Sequence, residues 1–321
     1  VQNSTIRPSV LPDELVVAVL IPCYNEAAAI AKVVTDFRAA LPRARIFVYD
    51  NNSSDATMTS AQAAGAVVRT ETLQGKGHVV RRMFADVEAD VFVLVDGDDT
   101  YDAEVAPEML RLMLDRQLDM VTGARLTEET AAYRRGHRLG NVVLTGLVRW
   151  IFGNGVSDML SGYRAFSRRF VKSFPALAGG FETETEFTVH ALELKMPIGE
   201  VVTAYRGRPP GSASKLRTYV DGFRILRTIA LLVKEERPLQ FFGLIGLVLL
   251  LIGCVFGLSV VVEYLRTGLV PRLPTAVLAT GFVLLSFLAF VCGLVLDTVT
   301  HGRREMRRLA YLAIPGIAAR L

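Results

Sequence analysis

Two carboxylates separated by one small residue, Asp96 and Asp98 around Gly97, stand directly behind the apolar run Val91-Phe92-Val93-Leu94-Val95. Such a pair can hold a hard divalent cation, Mg2+ or Mn2+, and through it a diphosphate. Without a cation the cluster Asp96-Gly97-Asp98-Asp99 repels itself. Two further polar sets follow apolar runs: Pro22, Tyr24, Asn25 and Glu26, then Asp50 and Asn51. A base needs a stacking face and a polar edge partner, a ribose needs a carboxylate for its hydroxyls, and a diphosphate needs a metal. These three sets can supply all of them. Lys76, between Gly75 and Gly77, enters a predicted helix and suits an anionic ligand together with nearby N–H groups. The glycine spacing and following Ser/Thr of a P-loop are missing.

The elements that must position these groups alternate. Apolar runs predict strands at 15–21, 45–49, 66–69, 91–95 and 120–123, and helical spacing predicts helices at 26–41 and 76–88. Ser54-Asp55 is a predicted N-cap for a helix through Ala64, stopped by Gly65. Alternating strands and helices predict an α/β domain over 15–215, with a parallel sheet covered on both faces. Ligands of such sheets gather at the strands' carboxyl ends, where all three polar sets stand. Residues 1–14 are polar, contain proline and read as a flexible arm.

The motifs Val19-Leu20-Ile21-Pro22-Cys23-Tyr24-Asn25-Glu26, Asp50-Asn51-Asn52-Ser53-Ser54-Asp55, Gly75-Lys76-Gly77 and Asp96-Gly97-Asp98-Asp99 resemble the family 2 glycosyltransferases of the GT-A fold. Asp158-Met159-Leu160-Ser161-Gly162-Tyr163-Arg164 is similar to the branch that uses polyprenyl phosphate, related to dolichyl-phosphate mannose synthase. The resemblance covers roughly residues 16–300, including two C-terminal apolar segments like those of bacterial members that glycosylate undecaprenyl phosphate. It implies nucleoside-binding roles for Pro22, Tyr24, Glu26 and Asp50. It places Asp96 near the nucleotide and Asp98 most directly on Mg2+ or Mn2+. Thr100 stands where related sequences often carry Gln. The motifs are specific to the family and not to one sugar: UDP- and GDP-sugar donors share these devices.

A lipid phosphate acceptor is already ionised, so such a reaction needs positioning and charge neutralisation more than a base. Arginines can grip the acceptor phosphate bidentately. Arg125 and the cluster Arg134, Arg135 and Arg138 beside Asn141 are the candidates, and a solvated basic loop is the competing reading of the cluster. Asp158 is expected near the sugar, hydrogen-bonding a hydroxyl or steering the acceptor. Asp98, Asp158 and Arg125 are thus the expected catalytic set. Gly162 and Arg164 read as scaffold. Arg206 and Lys215 flank a Gly/Pro-rich loop whose cations, by the resemblance, close over the diphosphate; a plain connector is the alternative. Glu182, Glu184 and Glu186 alternate without sharing a helical face, so one can point into the sugar pocket while the rest form an acidic helix start. His190 reads as structural, and His78, His137 and His301 form no ligand set.

Composition adds the setting. Of 321 residues 51% are hydrophobic, mean hydropathy is +0.35, and the excess lies at the C-terminal end. Uncharged runs of 22 residues at 241–262 and 23 at 274–296 can each cross a hydrocarbon core of roughly 30 Å. Basic flanks, Lys234 and Arg237 on one side and Arg303, Arg304, Arg307 and Arg308 on the other, place both ends in the cytoplasm and the loop 263–273 outside. The expected order is therefore the catalytic domain, an amphipathic juxtamembrane helix at 216–238, two spans within 239–298 and a basic tail at 299–321. No early apolar segment resembles a signal peptide, so a bacterial inner-membrane protein with a cytoplasmic catalytic domain is expected. A net charge of +4 fits an anionic lipid surface. Nucleic acid is disfavoured, because no Lys/Arg block interleaves with exposed aromatics. Cys23, Cys254 and Cys292 have neither metal-ligand nor disulfide-framework spacing. Oligomeric state is open, with a tetramer suggested only by the resemblance.

Two rival readings remain. A processive polysaccharide synthase carries Gln-x-x-Arg-Trp, but Gly146-Leu147-Val148 precedes Arg149-Trp150 here, and two spans are few for an export channel. A non-catalytic membrane scaffold for a glycan pathway would have no use for Asp98.

Overall fold

A computed structural model describes residues 11–126, 146, 157–176, 183–207, 234–235 and 237–319. The chain divides into two units, Val1–Gly222 with Arg307–Leu321, and Phe223–Met306. In the first unit the order is β1 (Val17–Cys23), α1 (Ile30–Ala40), β2 (Arg45–Asp50), α2 (Thr57–Ala63), β3 (Val67–Thr70), α3 (Lys76–Asp86), β4 (Val91–Leu94), α4 (Ala106–Asp115) and β5 (Met120–Leu126). After these come β6 (Arg164–Ser167), α5 (Arg168–Ser173), α6 (Thr183–Glu193) and β7 (Ile198–Ala204).

The strands form one sheet in the order β3-β2-β1-β4-β6-β5-β7. The apolar runs are unbroken because both faces are covered. Val17, Val19 and Ile21 of β1 pack with Val33, Val34 and Phe37 of α1 and Met109 and Met113 of α4. The alternate residues Ala18 and Leu20 face Val80, Met83 and Phe84 of α3 and Phe187 of α6. The sheet is mixed, which corrects the expected all-parallel one: β6 runs antiparallel to both β4 and β5. A four-residue strand beginning with Arg164 carries too little apolar signal to be read from sequence.

This topology is what assembles the site. β1 lies between β2 and β4, with Cys23 opposite Asp50 and Leu20 opposite Leu94, so three parallel strands end together. β6 enters from that same edge with Arg164 opposite Leu94 and Thr122, placing residues 158–163 there as well. β5 and β7 leave at this edge, with Arg125 opposite Thr203.

The second unit contains α7 (Pro238–Thr267) and α8 (Leu273–Leu312), the latter counted with the first unit from Arg307 onward. Both are long and apolar enough to cross a membrane. Gly246, Gly253 and Val260 of α7 and Ala279, Ser286, Gly293 and Thr300 of α8 are buried at seven-residue spacing. A methyl group on Gly246 would lie 3.1 Å from the Ser286 carbonyl and one on Gly253 3.2 Å from that of Ala279, so small residues let the backbones approach. The expected loop 263–273 shortens to residues 268–272, because α7 continues to Thr267 and ends on left-handed Gly268. α8 runs on past residue 299, and from Arg307 to Ala319 the chain belongs to the catalytic unit, with Ile317 buried in its core. Most of the expected amphipathic helix at 216–238 lies outside the described residues.

Candidate functional site

The loops after β1 and β2 are stitched together. Asn25, left-handed at φ 53°, accepts the Ser54 N–H on its Oδ1 (2.8 Å) and donates its own N–H to Ser53 Oγ (2.8 Å). The Glu26 N–H donates to Thr57 Oγ1 (2.9 Å), and Asp55 Oδ1 accepts the Thr57 N–H (3.0 Å) where α2 begins, although the N-cap position is Ala56 and not the expected Ser54-Asp55. Pro22 is half-buried, and Tyr24, 38% exposed, offers a ring at the rim. Asp50 is 1% exposed; its Oδ2 accepts the Ser53 N–H (3.0 Å), while its Oδ1 is buried with no hydrogen-bond partner among the described residues. A buried acceptor left unpaired is costly, and a ligand N–H or O–H would relieve it. Asn51 is spent on structure: its Nδ2 donates to the Glu71 and Leu73 carbonyls (2.9 and 2.8 Å) and its Oδ1 accepts the Gly75 N–H (2.7 Å). It thereby sets the loop that delivers Lys76.

Lys76 begins α3 behind Gly75, whose φ of 134° suits only glycine. Its Nζ lies 2.5 Å from Asp96 Oδ1 and 2.5 Å from Glu184 Oε1. Burial opposes its charge, but the two carboxylates prevail and hold the ammonium above the ordinary lysine value. Glu184, 5% exposed, keeps Oε2 buried without a partner among the described residues. Glu184 reaches this edge group through a contact across 108 residues of sequence that no local spacing encodes, and Glu182 lies outside the described residues.

Each residue of the acidic turn has a different task. Gly97 is needed because a Cβ there would lie 2.6 Å from Cys23 Sγ. Asp98, 5% exposed, takes a hydrogen bond from Thr100 Oγ1 (2.7 Å), so the hydroxyl standing in place of the expected Gln orients a carboxylate. Asp99 sits at φ 58° and pairs with Lys32 Nζ (2.8 Å). Among the described residues no three His, Cys, Asp or Glu side chains gather as a metal cage. Asp96 and Asp98 are the carboxylates this turn offers a divalent ion, which commonly completes its coordination with phosphate oxygens and water.

Arg125 and Asp158, expected separately on the acceptor and the sugar, form one pair. Arg125 Nε donates to Asp158 Oδ2 (2.7 Å) and Nη2 to Oδ1 (2.8 Å), and the guanidinium lies 5.3 Å from the Tyr205 ring centroid. Burial raises the Asp158 pKa, but the Arg125 fork overrides it and holds the carboxyl below the usual range. Arg164 is scaffold as expected: fully buried, it donates to the Ser161 and Met159 carbonyls (3.1 and 2.6 Å) and Thr188 Oγ1 (2.9 Å). Desolvation lowers its pKa to about 10. Arg206 is anchored beside the acidic turn by its N–H on the Thr100 carbonyl (2.9 Å) and by Asp102 (3.3 Å). Arg134, Arg135, Arg138 and Lys215 lie outside the described residues.

Residues 18–174 match the family model described as glycosyl transferase family 2. Glycosyltransferase AglJ of Haloferax volcanii is 32% identical over 305 residues, covering 94% of this chain and 100% of that protein. The chain belongs to the family 2 glycosyltransferases. A second Haloferax volcanii relative of this glycosyltransferase, named dolichyl-phosphate hexose transferase, is 31% identical over 221 residues, 68% of this chain and 95% of that protein. Among solved structures, glucosyl-3-phosphoglycerate synthase from Mycobacterium tuberculosis in complex with Mn2+, UDP and phosphoglyceric acid has a TM-score of 0.55. At 23% identity over 69% of this chain and 78% of that one, the likeness is of fold, and the fold is the GT-A type.

Proposed function

We propose that this glycosyltransferase moves one sugar, with inversion, from a UDP- or GDP-sugar onto a polyprenyl phosphate at the cytoplasmic face of a bacterial inner membrane. Undecaprenyl phosphate is the acceptor of choice. The observation that carries this reading is one chain joining an Asp50–Lys76–Asp96–Asp98 edge and an Arg125–Asp158 pair to two long apolar helices. The name of the second Haloferax relative supports a lipid-linked acceptor.

Asp50 Oδ1 receives a donor from the base or ribose, and Tyr24 and Pro22 cover the nucleoside. Asp96 and Asp98 hold Mg2+ or Mn2+, which when bound neutralises diphosphate charge. Lys76 adds a fixed cation on the same side, and Glu184 is placed for a sugar hydroxyl. An oxygen of the lipid phosphate attacks the anomeric carbon. The new carbon–oxygen bond forms as the bond to the diphosphate oxygen breaks, and that electron pair leaves on the nucleoside diphosphate. The nucleophile carries no proton to remove, so Asp158 steers rather than acting as a base. Arg125 presents a planar fork that matches phosphate as well as carboxylate, and the acceptor competes with Asp158 for it.

The full chain with Mn2+ or Mg2+, undecaprenyl phosphate and a panel of nucleotide sugars should release nucleotide with one donor class and only when the lipid is present. Silence across the whole panel would favour a non-catalytic role in a glycan pathway.

A further inference from the structure

We infer that Gly162 is a positioning residue for Asp96: the turn from Asp158 to Gly162 is the seat on which the donor-side carboxylate rests. This builds on the proposed donor-site role of Asp96. A Cβ built on Gly162 would lie 2.2 Å from Asp96 Oδ2 and 2.9 Å from its Cγ. Gly162 is not among the residues with positive φ, so a left-handed backbone is not what calls for glycine here. Space for one carboxylate is what demands the glycine.

The turn cannot retreat. The Gly162 N–H donates to the buried Tyr101 hydroxyl (2.9 Å), and Ser161 Oγ donates to the Gly123 carbonyl (2.6 Å). Arg164 grips the Ser161 and Met159 carbonyls from below. Asp96 is the freer partner, with a side chain 31% exposed. An added methyl would therefore push the carboxylate by about 1 Å to reach ordinary contact distance, off the position from which Asp96 Oδ1 meets Lys76. The same turn carries Asp158, whose fork with Arg125 lies on the acceptor side. The donor-side carboxylate thus rests against the turn that carries the acceptor-side one, which explains how two parts of the sequence 62 residues apart keep register (Asp96 to Asp158).

The test is a double-variant cycle in the full chain with Gly162→Ala, Asp96→Ala and both together. Thermal melting in detergent and calorimetric titration with UDP and with GDP in the presence of Mn2+ are read for each. Gly162→Ala should lower the melting temperature and weaken binding of the recognised nucleotide, and cut donor turnover roughly a hundredfold. Acceptor KM should stay near that of the wild type. In the Asp96→Ala background the same methyl should cost nothing further in either readout. Equal melting losses in both backgrounds, or no loss in either, would overturn the seat. If the unaltered chain binds neither nucleotide, the donor reading of Asp96 fails, while the melting cycle still decides whether Gly162 acts through it.

Discussion

Strand β5 carries an ion network at each of its ends, and the two are built in opposite ways. At the amino end Asp119, 1% exposed, is filled on both oxygens. Oδ1 accepts from Ser167 Oγ (2.6 Å) and Arg169 Nε (2.5 Å), and Oδ2 from Arg169 Nη2 (2.7 Å) and the Tyr311 hydroxyl (2.7 Å). Nearby in the chain's final segment, Arg307 pairs with buried Glu193 (2.6 Å). At the carboxyl end, Arg125 forks Asp158, and on the same sheet edge Asp50 and Glu184 each keep a buried oxygen without a partner among the described residues. Saturated charges hold a fold together. Carboxylates left partly unsatisfied wait for a ligand.

Substitutions should separate the two ends. Asp98→Ala should lower sugar transfer roughly a thousandfold, the scale of losing a charge-stabilising group, while melting stays close to the wild type. Comparable transfer and melting losses would erase the distinction. Asp119→Ala should do the reverse, costing about 1–3 kcal/mol of stability because the Ser167 and Tyr311 hydroxyls and the part-buried Arg169 lose their acceptor. Denaturant titration of the full chain measures this, and protein that remains folded should keep its nucleotide affinity. Arg125→Lys removes the fork but keeps the charge; acceptor KM should rise about tenfold, roughly 1.4 kcal/mol, with donor KM unmoved.

The smallest effect concerns His190, which contacts Ser173 (3.2 Å) and sits among Phe170 and Phe174. Burial first, and then the charge of Arg307, lower its pKa from 6.5 to about 3. The unfolded chain binds a proton at this histidine below pH 6.5 and the folded one does not, so its contribution to stability is complete above pH 6.5 and falls on acidification toward pH 3. The slope is at most about 1.4 kcal/mol per pH unit. His190→Gln should flatten that part of a melting-temperature profile, and an unchanged profile would show that His190 does not carry the acid sensitivity.

The same contrast explains what was legible in sequence. β1, β2, β4 and their carboxyl-end polar sets were readable because strands buried on both faces are continuous apolar runs, and each set follows its run directly. β6 was not, because its first residue is a fully buried arginine satisfied by carbonyls that only the folded turn brings near. Pairings across the site were equally hidden: Arg125 and Asp158 are 33 residues apart, Lys76 and Glu184 108. The segment 299–321 reads only as a basic tail, since nothing in its composition reports Asp119 and Glu193, the carboxylates that Tyr311 and Arg307 meet. Lys32 and Thr100, which hold the acidic turn, give no sequence signal beyond their own polarity.

The most direct test of the account is the mass of the lipid product formed by the full chain from undecaprenyl phosphate and its recognised nucleotide sugar. The predicted product is the lipid monophosphate bearing one sugar, with one nucleoside diphosphate released per lipid converted. Release of nucleoside monophosphate with a lipid diphosphate product, or sugar accumulating as a polymer, would contradict it.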